Sequence, residues 1–78
     1  MKATMRVLHI KGGDEAIYVC HKAELSRHDG EDFFVWIHMA EHEVLQVSAG
    51  EVLILGDDGK CVHRWDLDLK NELYNTAA

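Results

Sequence analysis

The hydrophobic positions of this chain fall in short runs of β-branched and aromatic residues, separated by glycine- and acid-rich turns. Residues 5–10 and 16–21 are two such runs, and Gly12 and Gly13 between them are a two-residue hairpin signal. With these glycines in the turn, Leu8 lies opposite Ile17 and Val7 opposite Tyr18. Alternation then puts Leu8, Ile10, Ile17 and Val19 on one face, and Met5, Val7, His9, Tyr18 and Cys20 on the other. Both faces are fairly apolar, which suits a strand pair inside a small barrel or sandwich.

Residues 22–32 are polar, contain Ser26, His28, Asp29 and Gly30, and read as a loop, with Glu24 and Leu25 as a possible extension of the second strand. Residues 32–39 hold the most hydrophobic run, Phe33 to Met39, and their aromatic and β-branched content predicts a strand. Residues 40–47 fit either a helical turn or a further strand, because Phe33, Trp36, Ile37, Ala40, Val44 and Val47 also recur at helical spacing and Gly50 stands where a C-cap belongs. The clearest unit is a second hairpin, residues 51–55 and 61–65 around Asp58 and Gly59. Asp-Gly suits a type I′ turn, in which both central residues need positive φ. That turn sets Leu55 opposite Val62 and puts Val52, Ile54, Cys61, His63 and Trp65 on one face. A three-residue turn with a glycine bulge shifts the register by one.

The pattern predicts a mainly β fold: a small antiparallel barrel or sandwich of about five strands built on two hairpins, with at most one short helix near residues 40–48. Residues 1–70 form the single small β domain in this reading. Residues 71–78 form a polar, flexible C-terminal tail in which Leu73 and Tyr74 can pack back as a final turn.

Composition narrows the function classes. A chain of 78 residues has room for one modest core and little for a substrate pocket with a catalytic constellation. Eight basic against fourteen acidic residues give a formal charge of −6, which disfavours nucleic acid and suits a protein partner with a basic surface. Two cysteines are too few for a secreted disulfide scaffold, and no run has signal-peptide or transmembrane character, so a cytoplasmic, non-membrane protein is expected.

The chain also holds six histidines, His9, His21, His28, His38, His42 and His63, beside Cys20 and Cys61. Histidine titrates near neutrality and, with cysteine, ligates zinc, which raises metal binding and pH response as candidates. Cys61 and His63 on one strand face form half a site. His38 and His42 join them only on a helix, where residues four apart share a face. Neither a pair of Cys-x-x-Cys motifs nor His-Glu-x-x-His is present, so no metal or other cofactor is expected. Cys61 and His63 also resemble a nucleophile and base, but no third group orients them. No Gly-x-Ser-x-Gly or phosphate-binding loop occurs, and no enzyme is expected.

These features leave a non-enzymatic protein-binding module, an inhibitor or adaptor, as the favoured function. In size and charge it is similar to the small acidic all-β inhibitors of phages and mobile elements. Trp36, Trp65 and Tyr18 are the expected contact residues, since Trp and Tyr are enriched in interfaces, together with the acidic turn at Asp57 and Asp58. A homodimer through an open sheet edge is a further expectation. The alternatives are a metal- or pH-responsive protein built on Cys61, His63, His38 and His42, and a small nucleic-acid-binding β barrel.

Overall fold

A computed structural model describes residues 4–39 and 42–76. Among them, the elements run β1 (Met5–Lys11), β2 (Asp14–Cys20), β3 (Lys22–Arg27), β4 (Phe33–His38), β5 (Val44–Val47), β6 (Glu51–Leu55), β7 (Cys61–Asp66) and α1 (Leu67–Thr76). The fold is mainly β, as expected, in two antiparallel sheets with orders β2-β1-β6-β7 and β3-β4-β5. The sheets do not close into a barrel.

The first hairpin forms with the expected register, Leu8 opposite Ile17 and Val7 opposite Tyr18. Gly12 and Gly13 adopt φ of 58° and 88°, and positive φ at both central positions is what a type I′ turn demands. Its two faces have different fates. Val7 and Cys20 enter the core, while Ile17 and Val19 on the opposite face remain exposed.

Residues 22–27 are a strand and not the expected loop. The chain bends at His21, whose N–H donates to the His38 carbonyl (3.0 Å), and this one residue carries it from the first sheet to the second. β3 then pairs with β4, setting Leu25 opposite Val35 and Lys22 opposite His38. Its polar appearance follows from its place at a sheet edge, where Ala23 and Leu25 pack on the core and Lys22, Glu24 and Ser26 alternate onto the other face.

β4 is the centre of the smaller sheet. Val35 and Ile37 are completely buried between the sheets. Phe34 is buried on the other face, beneath the rings of His28 (5.0 Å) and Trp36 (5.1 Å). The helix expected near residues 40–48 does not form over the described part of that stretch. Met39 N donates to Glu43 O (2.8 Å), and residues 44–47 pair with β4 as strand β5. An open edge of β4 satisfies this backbone, and Leu45 and Val47 thereby reach the core. Residues 40 and 41 lie outside the described residues.

The second hairpin keeps the expected pairing in its body, with Ile54 opposite His63 and Val52 opposite Trp65. At the tip the two-residue turn gives way to a three-residue one. Gly56 N donates to Lys60 O (2.8 Å), Gly59 N donates to Gly56 O (2.9 Å), and Gly59 takes φ of 82°. Leu55 consequently faces Cys61 and not Val62, through a register shift between Ile54 and Leu55.

The expected flexible tail, residues 71–78, is another correction. α1 begins directly after β7 and continues through Thr76, while residues 77–78 lie outside the described residues. Asp66 caps it, its Oδ1 accepting from Leu69 N (3.0 Å). Leu67 N donates to Gly50 O (2.9 Å), and Asp68 Oδ1 accepts from Gly50 N (3.0 Å), so the helix start is tied to the turn before β6. Farther along, the buried Asn71 amide reads both polar groups of Phe33. Phe33 N donates to Asn71 Oδ1 (2.6 Å), and Asn71 Nδ2 donates to Phe33 O (3.2 Å). One polar side chain thus stands in for a missing strand partner at the start of β4. No helix among the described residues is long and apolar enough to cross a membrane.

Candidate functional site

The capped helix and the last strand build a concavity. Trp65 and His63 alternate onto one face of β7, and their rings meet nearly at right angles (4.7 Å, 78°). On α1, Leu69 and Leu73 are four residues apart, as are Lys70 and Tyr74, so each pair occupies one stripe. Leu67 and Asn71 are turned inward by the Gly50 and Phe33 contacts, which leaves Leu69 and Leu73 exposed beside β7. Leu25 of β3 and Phe33 of β4 complete the lining of a groove of about 740 Å³.

The charges at this groove are arranged unevenly. Arg27 stacks over Tyr74 (4.5 Å) and Phe33 (5.2 Å), and Lys70 lies 5.1 Å from the Phe33 ring. Neither cation is ion-paired among the described residues. Arg64 at the margin is already neutralised by Glu51 (2.9 Å) and Asp66 (3.3 Å), and the Glu51 carboxylate raises its pKa further. The groove is therefore apolar and aromatic at its floor, with Lys70 in its lining and Arg27 stacked on two of its rings, in a chain whose formal charge is −6.

Of the five expected contact residues, only Trp65 lines this groove. Trp36 is half-buried on the outer face of the smaller sheet, edge-on to Phe34. Tyr18 borders a separate cavity of about 280 Å³ with His9, Leu45 and Val47. Asp57 and Asp58 stand exposed at the tip of the β6–β7 hairpin, where Asp58 Oδ1 accepts from Lys60 N (3.0 Å). The structure does not gather these five into one surface. Leu25, Phe33, Leu69, Lys70, Leu73 and Tyr74 were not anticipated as a site; the signal that finds four of them is the Asp66 cap followed by two i, i+4 pairs.

The candidate metal ligands are likewise dispersed. Cys61 and His63 stay close on β7, but the Cys61 thiol donates to the His63 carbonyl (3.2 Å), and the imidazole packs on Trp65. His38 ends β4 in the other sheet, with Nε2 3.3 Å from Glu24 Oε1 and its ring 6.2 Å from that of His21. His42 lies in the turn before β5 and not one helical turn from His38. Among the described residues, no three His, Cys, Asp or Glu side chains converge on a point.

Besides Arg64, two groups have shifted pKa values. Lys22 first, then His38, hold the Glu24 carboxyl below its ordinary pKa by hydrogen bonding. Burial pushes the Cys20 thiol up, partly opposed by a hydrogen bond with the Lys22 backbone. A buried thiol with a raised pKa is a small hydrophobe and a poor nucleophile.

The chain matches no protein-family model, no curated protein and no solved structure.

Proposed function

We propose that this protein is a non-enzymatic protein-binding module, acting as an inhibitor or adaptor, and that it captures an extended apolar segment with acidic flanks in the β7–α1 groove. The observation that carries this reading is the juxtaposition of an exposed aromatic and aliphatic groove with the unpaired edge of β7. A strand added to that edge satisfies its own backbone on β7, and every second side chain enters the groove beside Trp65, Leu69 and Leu73. Arg27 and Lys70 favour carboxylates next to those anchors, since each rests on aromatic rings and neither has an ion-pair partner within the described residues. At the groove, the basic partner surface suggested by the net charge thus gives way to acidic flanks, while Asp57 and Asp58 remain available to a basic region elsewhere. Cytoplasmic action suits the two unpaired thiols.

Selection from a displayed peptide library on the full chain tests the proposal. Enriched peptides should alternate apolar positions with Asp or Glu at the flanks, and should lose affinity about tenfold or more for Leu73→Glu, which sets a carboxylate in an apolar site. They should bind Trp36→Ala as they bind the parent chain. Peptides that bind Leu73→Glu as tightly as the parent would refute the groove as the site.

A further inference from the structure

A second apolar surface lies on the outer face of the four-stranded sheet, away from the groove floor. The strand registers arrange it as a grid of three rows running across β2, β1, β6 and β7. The middle row is Ile17, Leu8, Leu53 and Arg64. One outer row holds Val19, Arg6 and Leu55, and the other holds Glu15, Ile10, Glu51 and Asp66. Ile17 and Val19 are 61% and 60% exposed, and no element among the described residues covers them.

We propose that this face binds a second copy of the chain, forming a face-to-face two-fold dimer. Sheets stack about 10 Å apart through just such rows of alternating aliphatic side chains. At about 4.8 Å per strand and 6.8 Å per row, the grid covers a footprint near 400 Å² per copy. With side-chain relief, two copies bury about 1,000 Å², close to the lower bound for a specific interface. The dimer is accordingly weak, forming at about 10 µM to 1 mM chain.

The charges select both the occupant and its orientation. Arg6 contacts only the Gly56 and Asp57 carbonyls (3.5 Å each), and neither it nor Glu15 has an ion-pair partner among the described residues. A two-fold axis in the interface, perpendicular to the strands, reverses the row order and keeps the strand order. Ile17, Leu8, Leu53 and Arg64 then stack on their own counterparts, each Arg64 guanidinium already held by Glu51 and Asp66 of its own copy, while Val19 meets Glu15 and Leu55 meets Glu51 of the other. Arg6 of each copy settles over Ile10 of the other, between Glu15 and Glu51. An axis parallel to the strands sets the acidic row on itself and is disfavoured. Arg6 meets carboxylates of the other copy in only one of the two arrangements, and that arrangement is closed, with no further copies added. This dimer uses a sheet face, distinct from the open sheet edge expected from the sequence, and leaves both the groove and the β7 edge accessible.

Sedimentation equilibrium of the full chain across this concentration range is the test. The mass should rise from 8.9 kDa towards twice that value. Ile17→Lys, which stacks two lysines on each other, and Val19→Glu, which sets a carboxylate over Glu15 of the other copy, each present twice across the symmetric contact, should weaken association about a hundredfold or more. Both side chains are already exposed, so these substitutions empty no part of the core. Arg6→Glu alone and Glu15→Arg alone should weaken it about tenfold, and the double exchange should restore it to within about threefold. Leu73→Glu, which tests the groove, should leave it unchanged. A monomer at every concentration overturns the proposal, as does a dimer sensitive to Leu73→Glu but not to Ile17→Lys, or a double exchange without rescue.

Discussion

Replacing Asn71 with alanine removes the one polar side chain buried among the described residues, and with it both hydrogen bonds to the Phe33 peptide (2.6 and 3.2 Å). Each bond contributes about 1 kcal/mol net, and stranding the Phe33 N–H adds about 1–3 kcal/mol of uncompensated desolvation, some of which water recovers if the helix loosens. The expected loss is about 2–4 kcal/mol, against a total near 4–12 kcal/mol for a chain of this length. Urea unfolding followed by tryptophan fluorescence and far-ultraviolet circular dichroism measures it, with the slope of the transition unchanged. Asn71→Asp separates the two bonds. A carboxylate still accepts from Phe33 N but faces the Phe33 carbonyl with no proton to donate. The aspartate variant should therefore gain stability relative to alanine as pH falls and its carboxyl protonates. An Asn71→Ala loss below about 0.5 kcal/mol would refute the view that this amide docks α1 on β4.

Gly50→Ala should destabilise by about 2–4 kcal/mol in the same urea assay, because Gly50 has φ of 84° and an added Cβ would collide with the Ile10 carbonyl; wild-type stability would show that this junction yields. Thiol titration of the native chain should label Cys61, which is exposed, well before Cys20, which is 3% exposed with a raised pKa; equal rates would contradict the burial of Cys20. Glu24 has a lowered folded pKa, so its small contribution is fully present above its ordinary value of 4.5 and disappears as pH falls through the folded value. Stability curves of the parent and Glu24→Gln should consequently diverge above that ordinary value and converge once the pH has fallen through the lower folded one, and curves that run parallel throughout would exclude the Lys22–Glu24–His38 cluster as their cause.

The elements that the amino-acid order reveals are those whose determinants are local. Gly12 with Gly13 sets the first turn and its register, because positive φ at two successive positions is cheap only for such residues. The Asp57–Gly59 segment marks the second hairpin for the same reason, although the choice between two and three turn residues rests on how the strands meet. Phe33 to His38 is rich in aromatic and β-branched residues, which favours a strand over the helical spacing it also contains.

The chain order alone left other parts open, because their determinants are distant in sequence. β3 looks like a loop until β4 supplies its hydrogen bonds, and residues 44–47 are equally periodic as helix or strand until the other edge of β4 takes them. The polar segment after Asp66 becomes an ordered helix because Gly50 holds its start and Phe33, 38 residues away, satisfies Asn71. The groove draws its lining from β3, β4, β7 and α1, so no window of sequence contains it. Local turn chemistry determined the hairpins and the β class. Which hydrophobic face is covered and which is left open was decided by tertiary packing alone, because alternation gives a strand two faces and only the second sheet chooses between them.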